Sequence, residues 1–528
     1  MLKTIALCFI LPALVAMPAT ASELFLTSDN CMACHNGMST QSGEDVSFGI
    51  DWRPTMMANA SRDPYWQASV RRELRDHMGA GAAIENECSL CHMPMAHVQT
   101  RAEGGTEKVF ANLVRGGRST RAALAQDGVS CAVCHQIEAD KLGKPESYVG
   151  GFVVEATGKL PRKAMGPHEI KAPSARLMAS ATNFSPAAAS HVRSAELCAT
   201  CHTLITLALG ADGKSIGRLP EQVPYLEWLE SSYRESMSCS NCHMPEVSGP
   251  APIANLAAEP RNGLGRHEFA GGNFFVPAML KRLGVAMPAL PLDLDRAAAR
   301  ARTHLADAAG KIDIIDLAVK EGLLSAQIKV DNFAGHKLPT AYPSRRVWLH
   351  VMVKDGQGAV VFESGAIGPN GKIVGNDNDD DPLRFEPHHR VLERPEQVQI
   401  YEAILGDNDG QVTTGLLHAV KYLKDNRIAP VGFDKQKAPA DVAVHGEALA
   451  DPDFVDGSDQ VLLRIPLGER QGPYKLEAEL LYQPIGYRWA DNLRGGSDAE
   501  AKTFARAFDG LASVSFQRIA RAERGARN

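Results

Sequence analysis

Ten of the eleven cysteines fall into five pairs of one spacing: Cys31/Cys34, Cys88/Cys91, Cys131/Cys134, Cys198/Cys201 and Cys239/Cys242. A histidine follows each pair at once, as His35, His92, His135, His202 and His243. On one helical turn, cysteines at i and i+3 project from the same face. They can form thioethers with the two vinyl groups of one porphyrin, with the histidine at i+4 beneath the iron as proximal ligand. Three other chemistries use paired cysteines. Structural zinc needs pairs that combine two by two or with spaced histidines, which an odd number of identical C-x-x-C-H units does not supply. A thioredoxin-like site uses one pair, and disulfides do not call for histidine at every fifth place. The spacing therefore predicts five covalently bound haem c groups.

Five irons take up to five further ligands, and twelve of the 17 histidines lie outside the motifs. Asp63 as N-cap and Pro64 at the first helical position predict a helix. Its buried stripe of Trp66, Val70 and Leu74 continues to His77, a candidate ligand near Cys88 or else a hydrogen-bonded core histidine. His191 stands seven residues before Cys198, on a helix read as opening at Ser185-Pro186. That tether is too short to reach the far side of the same porphyrin, so His191 would serve a neighbouring haem. The same argument applies to His97 in CHMPMAH. His267 lies among Gly263, Gly265, Gly271 and Gly272, which lack side chains that would block a flat cofactor; the alternative is a mobile surface loop. His336, in NFAGHKLPT, follows an alternating run and precedes a turn at Pro339. As a ligand it would let the second half of the chain complete a site in the first; otherwise it is a turn histidine. His168 is in reserve, His304 is expected on a solvent face, and Met56, Met57, Met93 and Met95 could offer thioethers but more often pack.

These groups need elements to hold them. Residues 1–21 read as a signal peptide, with Lys3, an apolar run from Ile5 to Met17 and Ala19-Thr20-Ala21 as cleavage site. The run falls short of the roughly 20 residues that span a bilayer, and no later stretch is apolar enough. Export to the periplasm, or beyond the cell, is the expectation. Residues 22–290 read as a loop-rich, mainly α pentahaem cytochrome c domain, 291–310 as a linker helix and 311–528 as a β domain closed by a C-terminal helix over about 498–524. The period-two runs IDIIDLAVK, SAQIKVDNF, RRVWLHVMVK and YKLEAELLYQ predict an antiparallel β-sandwich, immunoglobulin-like in shape. The fold class is thus multidomain α+β. Aromatic residues make up only 6% of the chain, a thin supply for two large cores unless haem adds flat apolar bulk. Net charge is -6, which points away from nucleic acid and anionic membrane partners. Asp377, Asp379 and Asp381 in NDNDDD resemble the start of a calcium loop. Pro382 takes the place of its turn glycine and His388 that of its closing glutamate, so a solvated acidic turn is the better reading.

CMACHNGMSTQSGEDVSFG, MMANASRDPYWQASVRRE, DGVSCAVCHQI, AELCATCHT, EQVPYLEWL, CSNCHMP, HEFAGGNFF, GHKLPTAYPSRRVWL and KDNRIAPVGFDK together resemble a widespread group of bacterial multihaem c-type cytochromes, the cytochrome c-552/c-554-like family. That group is similar to the family of the nitrifiers' tetrahaem electron carrier and hydroxylamine dehydrogenase. The resemblance covers nearly the whole mature chain and implies haem c and an exported location. Pentahaem ammonia-forming nitrite reductases mark their catalytic haem with C-x-x-C-K, which does not occur in this sequence, so all five proximal ligands are expected to be histidine. The expected role is electron transfer between redox partner proteins through closely packed, mostly bis-histidine haems, because six-coordinate iron leaves no place for substrate. The alternative is an oxidoreductase acting on a small nitrogen or sulfur compound at one five-coordinate haem, with Arg53 or Arg266 as cationic groups nearby. Docking or self-association through the β domain is a further expectation.

Overall fold

The computed structural model describes residues 23–113, 117 and 119–526; the leader expected at 1–21 lies outside them. Through residue 308 the chain runs in helices and loops with two small two-stranded sheets, and from Gly310 onward it is mainly strands. The cysteine pairs sit on or beside the helices Ser28–Met32, Gly81–His92, Cys131–Cys134, Ala195–Ala199 and Cys239–His243. Four of these have five residues or fewer, well under the roughly 12 at which an isolated helix begins to hold in water. Contacts from elsewhere must fix them. Helix Pro64–Asp76 forms where its cap predicts, with Asp63 accepting the Tyr65 and Trp66 N–H groups, but it buries Tyr65, Ala68, Val70 and Glu73, and of the expected stripe Trp66 and Leu74 are only half-buried.

The helix expected to open at Ser185-Pro186 is absent. Helix Ala172–Thr182 ends at Asn183 in the left-handed conformation, and Phe184–Ala188 then runs as a strand parallel to Arg162–Gly166. His191 occupies the short turn Ser190–Arg193 instead.

The linker helix spans Pro291–Ala308. Beyond it, a four-stranded sheet orders Gly310–Lys320, Leu323–Asn332, Ser458–Pro466 and Val391–Leu392. A seven-stranded sheet is centred on Arg346–Lys354 and Tyr474–Gln483. Alternation is literal: Leu324, Ala326, Ile328 and Val330 are buried while the residues between them are not. They meet Leu349, Val351, Leu476 and Ala478 of the facing sheet in one core. The sandwich is antiparallel except where Val391–Leu392 runs parallel to Ser458–Pro466. With seven and four strands rather than the four and three of an immunoglobulin constant domain, the likeness goes no further than two facing sheets.

The C-terminal helix is shorter than expected, spanning Ala499–Asp509. Gln517–Ala526 is a strand, paired antiparallel with Tyr474–Gln483. Its Arg, Glu and Ala content favours helix, but the open edge of the sheet offers a full ladder of partners, and that context overrides propensity.

The two halves share a core. Tyr65 and Ala68 of helix Pro64–Asp76 pack in the cluster that holds Phe504 and Phe508, and Arg71 pairs with Glu500 at 3.0 Å. Arg72 donates to Thr414 Oγ1 at 2.7 Å, and the Leu416 N–H donates to Glu73 at 2.9 Å. Below them lies a buried ion network: Lys337 Nζ stands 2.7 Å from Asp425, Arg427 chelates the same carboxylate at 2.8 and 2.7 Å, and Arg427 Nη1 is 3.0 Å from Glu227. Burial alone would push the Asp425 carboxyl up, but Arg427 and Lys337 hold it well below the usual carboxylate range. A depressed carboxylate stabilises the fold fully above about pH 4, and less as pH falls further. Asp425→Asn should therefore cost about 3–5 kcal/mol at neutral pH by leaving one buried positive charge uncompensated. In denaturant unfolding the deficit should shrink below about pH 4.

Candidate functional site

The cysteines and histidines of the first four motifs line one cavity of about 1160 Å³, and the fifth motif reaches its rim through Ser238, Ser240, Asn241 and Met244. Protein interiors hold few voids larger than a water molecule, and single-ligand sites run to roughly 1,000 Å³. Its walls include Trp66, Phe269, Leu197 and Met178, so the space suits large apolar groups. No disulfide joins any of the ten motif cysteines. Cys31 neighbours Cys131, Cys91 neighbours Cys201, and Cys198 neighbours Cys239. Cys134 is close enough to Cys198 and Cys201 to interact with them through charge. The five motifs thus form one connected cluster with the fourth at its centre.

Four motif histidines are oriented alike. The Nδ1 atoms of His35, His92, His135 and His243 lie 2.6, 2.9, 2.5 and 2.5 Å from the carbonyls of Ile253, Ala60, Met165 and Ala270. A carbonyl only accepts, so Nδ1 carries the proton and Nε2 keeps its lone pair for a metal. Burial reinforces this, pushing His92 and His202 down to about 4 and so keeping them neutral.

Two of the five candidate distal histidines meet motif histidines. The His267 ring centre is 6.3 Å from that of His135, with planes 17° apart. The His336 ring centre is likewise 6.3 Å from that of His243, with planes 14° apart. A metal between two imidazoles at about 2 Å from each nitrogen, with roughly 1 Å more to each ring centre, needs about 6 Å. Nδ1 of His267 donates to the Gly265 carbonyl at 3.1 Å and Nδ1 of His336 to the Lys337 carbonyl at 3.0 Å, leaving Nε2 free in both. Burial lowers both to about 4.

The other candidates sit differently. His77 is buried at the end of its helix, its ring 4.4 Å from that of His418, and its Nε2 has no hydrogen-bond partner. His97 is buried with Nδ1 2.8 Å from Ser89 Oγ and with Glu107 and Arg101 nearby. Ser89 gives its own proton to the Asn86 carbonyl at 2.6 Å, so His97 Nδ1 donates and Nε2 stays free, in a contact that ties helix Pro94–Ala102 to the second motif's helix. His191 donates Nε2–H to the Ile137 carbonyl at 2.8 Å, leaving only Nδ1 free. His168 lines the cavity near Arg193 and Arg261. Met93 and Met95 are fully buried packing, whereas Met56 and Met57 line the cavity. His304 is not on a solvent face: its ring centre is 5.5 Å from that of His243. The sequence signal was present, since His304 follows Ala301 by three residues and Leu305 is buried beside it.

Two further expectations change. Gly272 is required by the β half rather than by a cofactor, because a Cβ there would lie 2.5 Å from the Tyr482 hydroxyl; Gly263, at φ +75°, and Gly265 do line the cavity. Arg53 pairs with Asp29 at 3.2 Å, and Arg266 with Glu44 and with Asp51 at 3.1 Å, so both are committed to ion pairs. The acidic run is no calcium loop and is not wholly solvated. Asp379 is fully buried and grips Arg346 at 2.8 and 2.9 Å, while Asp377 pairs with Arg384 and Asp381 accepts the Leu383 N–H at 2.9 Å.

No family model and no curated protein matches the sequence. Among solved structures, the chain is similar to a penta-heme cytochrome c552 from Thermochromatium tepidum, at 17% identity and a TM-score of 0.54, over 96% of this chain and all of that one. At that identity the likeness is one of fold.

His388, Asp451 and Asp459 form a buried triad with the shape of a metal site. The hydrogen bonds exclude one. The amide oxygen of Gln399 accepts the His389 N–H at 2.7 Å, and that of Asn426 accepts the Glu402 N–H at 3.0 Å. Both amide NH₂ groups therefore point at His388 Nδ1, at 2.9 and 3.1 Å. With Nδ1 accepting, Nε2 carries the proton, which it donates to Asp451 at 3.1 Å. Excess Zn²⁺ or Mn²⁺ should leave the unfolding temperature of a His388→Gln variant and of the parent equally unmoved. A metal-dependent rise confined to the parent would contradict this tautomer.

Proposed function

We propose that the chain is an exported c-type cytochrome with five covalently bound haems that carries electrons between redox partner proteins. The observation behind this reading is the convergence of the cysteines and histidines of four motifs on one apolar cavity, with the fifth motif at its rim. If each pair is bonded to its own porphyrin, the neighbouring cysteines Cys31/Cys131, Cys91/Cys201 and Cys198/Cys239 would place porphyrins of different motifs beside one another. The cavity size, its apolar walls, the neutral Nε2 donors and the penta-heme fold likeness all support the same reading.

In this assignment Cys31/Cys34, Cys88/Cys91, Cys131/Cys134, Cys198/Cys201 and Cys239/Cys242 hold the porphyrins, and His35, His92, His135, His202 and His243 are the proximal ligands. His267 completes the third site and His336 the fifth. The bound haem iron supplies one-electron chemistry. The chain fixes the imidazoles through their Nδ1 bonds and keeps them neutral by burial. Lys171, Arg193, Arg261 and Arg345 on the wall offer cations to carboxylates of the cofactor. Cys242 is exposed, so the fifth motif is the port closest to a partner.

A second reading, an oxidoreductase with one open iron, draws on a specific observation. The rings packed on His35 and His92 are Phe48 and Trp66, not imidazoles. Intact mass should exceed that of the mature polypeptide by five haem groups, and fewer would sink the count. In oxidised-state EPR, exclusively low-spin signals would remove the second reading. His267→Ala should convert one haem to high spin and leave the others unchanged; an unaltered spectrum would remove His267 as a ligand.

A further inference from the structure

The segment that carries the fifth motif also carries the clamp for the histidine opposite it. Glu227 belongs to helix Pro224–Leu229, shortly before Cys239, and is fully buried. Its Oε2 accepts the backbone N–H of Lys337 at 3.1 Å and the Thr340 hydroxyl, on either side of the turn that follows His336. Its Oε1 stands 3.0 Å from Arg427 Nη1, an ion-pair distance without hydrogen-bond alignment. From the other side Asn332, also fully buried, donates to the carbonyls of His336, Ile428 and Ala429 at 2.8, 2.9 and 3.1 Å. The loop bearing His336 is thus held at its start by an amide of the β half and at its end by a carboxylate of the other half. The same stretch ties itself to the second half again through Ser232, whose N–H donates to the Val431 carbonyl at 2.8 Å. Trp228, beside Glu227, donates to the Met237 carbonyl at 2.9 Å, just ahead of the fifth motif.

We propose that Glu227 is a positioning residue for the fifth redox centre: it locks His336 of the β half onto the axis set by His243, so that docking of the two halves and completion of that centre are one event. The inference rests on His336 being the ligand opposite His243. A carboxylate suits the task because it accepts two donors with one oxygen and offsets Arg427 with the other. Lys337 and Arg427 share Asp425, and with Glu227 the four buried groups have no net charge, which is the condition for burying ions without a large penalty. An amide at 227 would keep the volume, lose the charge and weaken the grip on the loop.

The test uses the haem-loaded full-length protein and reads EPR and redox titrations haem by haem. His336→Ala first identifies the centre it ligates, by the one haem that turns high-spin; if no haem changes, the ligand reading itself fails, whatever Glu227 does. Glu227→Gln and Thr340→Val should each give that same haem a mixed high- and low-spin signal, leaving the other haems unchanged, and Glu227→Asp should fall between Glu227→Gln and the parent. Thr340→Val removes one donor without touching any charge, so it remains informative if Glu227→Gln fails to accumulate. Wholly low-spin spectra in Glu227→Gln and Thr340→Val, or a change in potential confined to Glu227→Gln with ligation intact, would overturn the positioning role.

Discussion

A hydrogen bond from a motif histidine's Nδ1 to a backbone carbonyl outside its own motif is the contact on which this architecture turns. The C-x-x-C-H helices are too short to persist alone, and the cavity between them offers little side-chain packing. Carbonyls from Ile253, Ala60, Met165 and Ala270 give four of the rings a fixed tautomer and direction. Three of the carbonyls belong to loops and turns, and that of Met165 to the strand Arg162–Gly166. The loops between motifs are therefore scaffolding that must pass close to a ring, which explains why glycine, proline and small polar turns dominate the first half.

The same economy governs the ionisable groups. Near the motifs, buried imidazoles are kept neutral by their surroundings. In the β half, buried charge is cancelled locally, as between Arg346 and Asp379 or among Lys337, Asp425, Arg427 and Glu227. Only Glu227 comes from the first half, so it is through this residue that the second network joins the two halves.

The β sandwich is part of the site rather than an appendage. Helix Pro64–Asp76 packs against Ala499–Asp509, the final strand closes the seven-stranded sheet, and the loop after Leu323–Asn332 delivers His336 beside His243. Cutting the chain near residue 311 would expose a shared core and remove an imidazole from the fifth motif.

The cysteine pairs, their histidines, the capped helix at Asp63 and the alternating strands were legible from the chain itself, because cysteine–histidine spacing, capping and two-residue periodicity are local properties settled within a few residues. Which histidines stand opposite one another was not, since His135 and His267, or His243 and His336, become neighbours only after long loops close. The same reason accounts for the strand at 517–526, the contact of His97 with Ser89, the inward face of His304 and the His388 tautomer. Each depends on a partner brought by the folded chain, and a lone residue type carries no record of its partner.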